Sequence, residues 1–265
     1  MVVGRALQHR QAPDPATFLG KGKLEEITRS ADALGATTLI CDDELSGSQI
    51  RNIENLTGLK VVDRTFLILD IFAQRAKSRE GQLQVELAQQ QYRLSRLIGL
   101  GQALSRLGGG IGTRGPGESQ LESDRRHINR RISTLKRALA EVATRRDQTR
   151  KQRQSQDILT LAVVGYTNAG KSTLINALCQ SDLLTLDQVF ATLDPAARRL
   201  VLPDQQPVIL IDTVGFIRKL PHQLVDAFRS TLEEVTQADA IIHVLDASDP
   251  QAEIQRDVVD LLLNE

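Results

Sequence analysis

The sequence predicts an α/β fold in three parts, and three observations carry that expectation. Strand-sized apolar runs alternate with helical patterns at both ends of the chain. The middle lacks strand signals and carries heptad-spaced apolar residues instead, and a run of the form GxxxxGKS joins a strand to a helix near position 165. The parts divide as residues 1–79, 80–156 and 157–265. A hydrophobic content of 41% and a charged content of 25% match globular averages and exclude wholesale disorder.

The first part reads as a small α/β unit with a parallel sheet. Lys23 to Leu34 is helical and stops at Gly35, a residue suited to the left-handed cap position. Thr37 to Cys41 is a strand, Ser46 to Leu56 a second helix closed by Gly58, Lys60 to Val62 a second strand, and Thr65 to Ala76 an apolar helix. Little precedes the first helix, which leaves room for a missing first strand.

The second part reads as two long helices. Leu83, Leu87, Leu94, Leu97 and Leu104 mark the seam of one; Leu121, Ile128, Leu135 and Val142, with Ile132 and Leu139 between them, mark the other. A short non-helical joint folds such helices into an antiparallel helical hairpin. That joint, Gly108 to Gly117, has glycine at six of ten positions. Its GxGxxG match at Gly110, Gly112 and Gly115 lacks the preceding strand of a dinucleotide fingerprint. Either it is a flexible connector, or it is a side-chain-poor tip that lets backbone and Arg114 approach a crowded polyanion.

Charge separates the same part from the rest. The chain holds 33 basic and 33 acidic residues, yet Arg75 to Arg153 holds 18 basic and 7 acidic ones, a local excess of +11. A basic middle between acidic flanks points to one polyanion-facing segment. The longest apolar runs are strand-sized, well below the roughly 18 residues of a membrane-spanning helix. No secretory signal pattern is present. Cys41 and Cys179, without a CxxC, read as reduced core thiols of a cytosolic protein, and the four scattered histidines form no HExxH zinc pattern.

The third part holds the strongest motif. Gly165-Tyr166-Thr167-Asn168-Ala169-Gly170-Lys171-Ser172 follows the apolar strand Ile158 to Val164 and precedes a helix marked by Leu174, Ile175, Ala177 and Leu178. The glycines let backbone N–H groups wrap around phosphate oxygens at a helix N-terminus. Lys171 places an ammonium on the terminal phosphates, and the Ser172 hydroxyl can ligate Mg²⁺. The strand Pro207 to Ile211 ends in Asp212-Thr213-Val214-Gly215, a DxxG arrangement. There Asp212 can hold Mg²⁺ through water, and the Gly215 N–H can sense a γ-phosphate. Between the two motifs, Phe190 to Pro195 offers Thr192 as the hydroxyl that closes on Mg²⁺ and γ-phosphate; Thr185, or a threonine that only caps a turn, are the alternatives. The catalytic set is therefore Lys171, Thr192 and Gly215. Phe216 follows Gly215, and a phenyl ring cannot orient an attacking water, so hydrolysis is expected to be slow without a partner's help.

These residues resemble the HflX-type ribosome-associated GTPases over nearly the whole chain. The shared runs are Gly20 to Lys23, Asp63 to Thr65, Ile68 to Ala76, Leu83 to Gln89, Gly109 to Glu118, Gly165 to Thr173, Phe190 to Pro195 and Asp212 to Pro221. The resemblance implies an N-terminal α/β subdomain, the helical hairpin and a Ras-like P-loop GTPase domain, with GTP as substrate and Mg²⁺ as cofactor. It also implies a cytoplasmic protein, monomeric and at most loosely membrane-associated, that binds the large ribosomal subunit and promotes ribosome splitting or rescue under stress. Gly109, Gly110, Arg114, Arg125, Arg126, Arg130 and Arg131 then become the residues facing rRNA. With 3% aromatic residues, phosphate contact by arginine explains that better than base stacking.

Two departures from the family pattern bear on function. No Asn is followed by Lys anywhere in the chain, so the family's Asn-Lys-x-Asp guanine motif is not visible, and the GTPase domain is expected to be incomplete, a fragment short at both ends. In that case the strand Ile241 to Leu245 would form an exposed edge. Ala196 and Ala197 stand where the family often has hydroxyl residues, leaving Thr192 as the nearby switch hydroxyl. An rRNA-binding protein without effective hydrolysis, or a P-loop ATPase, are the competing readings.

Overall fold

The computed structural model describes residues 1–107, 116–154, 158–179, 196–218 and 233–263. Its compact units cut across the three sequence segments: Met1–Ile68 cluster with Gln89–Ser133, and Leu69–Ala88 with Thr134–Glu265. Each long helix therefore begins in one unit and ends in the other.

In the first unit, helix α1 (Lys21–Leu34) closes on Gly35 at φ 65, whose N–H reaches back to the carbonyls of Ala31 and Asp32. Strand β1 (Thr38–Cys41) leads to α2 (Gly47–Thr57), which opens on a reciprocal capping box between Ser46 and Gln49. Strand β2 (Lys60–Asp63) runs parallel to β1, with Thr38 opposite Lys60 and Cys41 opposite Asp63. Leu24, Cys41, Leu45, Ile53 and Val61 form the core beneath this small sheet. The expected parallel sheet and both helices are present.

Helix α3 (Arg64–Arg75) precedes α4 (Arg79–Leu107) and α5 (Pro116–Gln154). Tyr92, Arg93, Arg96 and Leu97 of α4 line a groove with Asp124, His127 and Ile128 of α5, while Glu80 pairs with Arg146, so the two helices run antiparallel. Along α5 the predicted seam holds. Ile132 and Leu135 are buried and the other seam residues half-buried, while Arg125, Arg126, Arg130, Arg131 and Arg137 are exposed. Helix α4 differs from its predicted single seam: Val85, Ala88 and Tyr92 form a buried stripe beside Leu87.

The second unit is built on a four-stranded sheet of β3 (Leu159–Gly165), β4 (Ala196–Val201), β5 (Pro207–Asp212) and β6 (Ala240–Val244), in the order β4-β5-β3-β6. Strand β3 is parallel to both β5 and β6, and β4 is antiparallel to β5. Side chains of β3 alternate between two cores, as the period of a strand requires. Val163 packs with Ile175 of α6 (Lys171–Cys179) and Leu210, whereas Ala162 and Val164 pack with Phe216, Val235 and Val259 of α7 (Ala252–Leu263). The sheet is thus covered by helices on both faces.

Strand β4 lies beyond what the sequence showed. Its run Ala196 to Val201 carries Arg198 and Arg199 where an apolar alternation would be expected, and an edge position among the described residues, with every second residue exposed, accommodates them. At the opposite edge, β6 pairs among the described residues with β3, and Ile241 is exposed there. No helix among the described residues is long and apolar enough to cross a membrane.

Candidate nucleotide-phosphate site

Strands β3 and β5 are parallel neighbours, with Val163 opposite Asp212, so their carboxyl ends deliver the GxxxxGKS loop and the DxxG loop to one edge of the sheet. Close approach fixes the first glycine of the loop. A Cβ on Gly165 would lie 2.3 Å from the Val244 carbonyl oxygen of β6. Asn168 at φ 63 and Gly170 at φ 89 then bend the chain into the start of α6.

Lys171, the first residue of α6, is buried, and its Nζ donates to the carbonyl oxygens of Gly165 at 3.2 Å and Tyr166 at 2.9 Å. Burial lowers its pKa to about 8, with the Asp212 carboxylate acting in the opposite direction. The neighbouring Ser172 Oγ donates to Asp212 Oδ2 at 2.6 Å, and Asp212 is wholly buried. A hydroxyl and a carboxylate held together are hard oxygen donors of the kind Mg²⁺ takes from a protein, so this pair fits the ion.

The two loops are zipped together by backbone. Phe216 N–H donates to the Gly165 carbonyl at 3.1 Å, and Thr167 N–H to the Phe216 carbonyl at 2.8 Å. Thr213 Oγ1 donates to the Val163 carbonyl at 2.7 Å, anchoring the DxxG turn to β3. Gly215 is held so tightly that a Cβ there would lie 2.5 Å from Thr167 Cα and 3.0 Å from Lys171 Nζ. Val214 is buried, Ala169 N–H closes a turn on the Tyr166 carbonyl, and Thr173 is exposed on α6.

The structure thus brings together Gly165 to Thr173 and Asp212 to Gly215. Thr192, Gly109, Gly110 and Arg114 lie outside the described residues. Two features of the site were not legible in the sequence. The Tyr166 hydroxyl accepts the Arg218 N–H at 3.3 Å, a third tie between the loops, and Phe216 is buried in the apolar core with Ala162 and Val164. The only signal for the second was the residue type.

A mixed sheet flanked by helices, with a lysine- and serine-bearing loop on one central strand and DxxG on its parallel neighbour, defines a P-loop GTPase fold. Three family models match the chain: GTP-binding GTPase N-terminal over residues 1–73, GTP-binding GTPase Middle Region over 75–153, and 50S ribosome-binding GTPase over 160–265. GTPase HflX of Caldanaerobacter subterraneus subsp. tengcongensis is 55% identical over 264 residues, all of this chain and 62% of the relative. GTPase HflX of Escherichia coli K12 is 48% identical over 256 residues, 97% of this chain and 60% of the relative. Among solved structures, the complex of SsGBP with GDP covers 96% of this chain and 67% of its own, at 27% identity and a TM-score of 0.52. The chain belongs to the HflX-type GTPases. It spans about three fifths of the length of the curated relatives it matches.

Proposed function

We propose that the chain binds GTP with Mg²⁺ and hydrolyses it to GDP and phosphate, as part of a cytoplasmic factor that engages the large ribosomal subunit and promotes splitting or rescue under stress. The observation that carries this reading is the zipped pair of loops, with Lys171, Ser172 and Asp212 held within reach of one another at the end of a helix N-terminus. In this reading the backbone of Gly165 to Thr173 cradles the phosphates, and Lys171 neutralises the β- and γ-oxygens. Ser172, Asp212 and Thr192 would hold Mg²⁺, which would supply charge neutralisation of the terminal phosphates. Gly215 offers its N–H to the γ-phosphate. Phe216 is packed in the core, so no side chain at that position orients water and intrinsic hydrolysis is slow.

Residues 1–79, 80–156 and 157–265 then act as α/β subdomain, basic RNA-facing hairpin and nucleotide domain of a monomer. The exposed Arg125, Arg126, Arg130 and Arg131 contact rRNA phosphates, together with Gly109, Gly110 and Arg114 at the tip. The test is a titration of fluorescent GTP and ATP analogues with and without Mg²⁺. Mg²⁺-dependent binding of the guanine nucleotide is expected; binding of neither, or preference for the adenine nucleotide, overturns the reading.

A further inference from the structure

Near the end of α5 a single guanidinium meets three carboxylates. Arg146 Nη1 lies 2.8 Å from Glu80 Oε1, Nη2 pairs with Glu233 Oε2, and Nε lies 3.8 Å from Glu234 Oε1. The Arg146 side chain is 18% exposed, Glu80 24% and Glu234 14%, against 39% for Glu233, so salt screens the pairs with Glu80 and Glu234 less than it would a surface pair. The carboxylates come from distant places. Glu80 belongs to the first turn of α4, where a negative charge also suits the helix N-terminus. Glu233 and Glu234 belong to the helical residues 233–236, ahead of β6. Arginine alone offers five N–H donors in a rigid fork that can serve several carboxylates at once.

The acidic end of this cluster is continuous with the nucleotide-phosphate site. Val235, next to Glu234, is buried in the same core as Phe216, and Phe216 is hydrogen-bonded through its backbone to the Gly165 loop. All of these residues belong to one compact unit, which also contains the start of α4 and the end of α5.

We propose that Arg146 is a positioning residue that carries the state of the Gly215–Phe216 loop to the bases of both hairpin helices. The inference rests on the reading that this loop responds to GTP. A shift of Phe216 moves Val235 with it, and Glu233 and Glu234 then change their distance from Arg146 while Glu80 does not. Contacts that differ between two arrangements are what a coupling requires.

Hydrogen exchange of the full chain, with GDP and with a Mg²⁺-bound non-hydrolysable GTP analogue, tests the proposal. In the unaltered chain the analogue changes exchange at residues 210–218 and also at 79–84 and 142–149. Two variants are compared: Glu233→Gln combined with Glu234→Gln, and Arg146→Lys, which keeps the charge and loses the fork. In both, nucleotide affinity stays within about twofold and the response at 210–218 persists, while the response at the helix bases shrinks about fivefold or more. A merely structural role would change protection equally in both nucleotide states. An undiminished response in the variants overturns the proposal, as does an unaltered chain whose 210–218 segment responds while the helix bases do not. If the unaltered chain binds no nucleotide, the functional reading fails and the proposal falls with it.

Discussion

Both units bury a carboxylate at the carboxyl end of a parallel strand: Asp63 closes β2 and Asp212 closes β5, and neither is exposed to solvent. Their surroundings differ. Asp63 is filled by donors from its own chain: Leu45 N–H at 3.2 Å, Phe66 N–H at 2.8 Å, the Tyr92 hydroxyl at 2.9 Å, and Arg96. Arg96 also stacks 4.5 Å from the Tyr92 ring centroid, and burial together with the Asp63 charge pushes the Tyr92 phenol up. Asp212 faces a hydroxyl and an ammonium on a loop whose glycines keep side chains away. A strand-end carboxylate is therefore not a site by position. In the proposed reading it becomes one where the chain supplies hard donors and small residues, and it is a structural joint where the chain supplies arginine and tyrosine.

The largest expected effect separates the two. Asp63→Ala leaves Arg96 and Tyr92 without their buried acceptor and is expected to destabilise the protein by about 3–5 kcal/mol, the cost of breaking a buried pair. Chemical denaturation reads the loss, and a shift below about 1 kcal/mol would break the comparison by showing Asp63 to be replaceable. Lys171→Ala is expected to act in the opposite sense. It should lower nucleotide affinity by roughly a hundredfold, the worth of charge-assisted hydrogen bonds, while removing the unfavourable burial of an ammonium from the free protein. Equal affinity in a fluorescence titration would contradict the role given to Lys171.

The pH dependence follows from the same lysine. Its pKa is lowered to about 8 in the free protein, and a bound phosphate raises it, so binding takes up a proton in the window above about 8. Affinity should fall by up to about tenfold per pH unit there. Calorimetry in buffers of different ionisation enthalpy measures the proton; no uptake at pH 9 would show that the ammonium is not desolvated. The same shift makes the free protein's stability lowest below pH 8, where the buried charge is present, and lets it rise toward the unfolded lysine's pKa. The smallest effect belongs to a side chain that bonds neither carboxylate. Ser46→Ala removes half of the capping box that opens α2 and should cost about 1 kcal/mol with nucleotide affinity unchanged.

Much of this was legible in advance because its causes are local. Gly35 and Gly58 stop helices through φ values that few other residues adopt, and Ser46 with Gln49 starts one, all within three or four residues. The GxxxxGKS loop is legible for the same reason: Gly165, Gly170, Lys171 and Ser172 take their places from spacing along one turn. Where the sequence reading fell short, partners were distant or the pattern was mixed. Strand β4 escapes a local pattern because Arg198 and Arg199 are tolerated at an edge among the described residues, and the α4 stripe because Val85, Ala88 and Tyr92 lie off the leucine seam.

The sequence by itself determined the alternation of strands and helices, the long basic helices and the position of the GxxxxGKS loop between β3 and α6, since each is encoded by neighbours in the chain. Only the tertiary structure decided that Asp63 is a closed joint, that Phe216 lies in the core, and that Arg146 meets Glu80 and Glu233. Those partners stand 29 and 33 residues from Asp63, and 66 and 87 from Arg146, separations at which no local pattern specifies a contact and packing alone selects it.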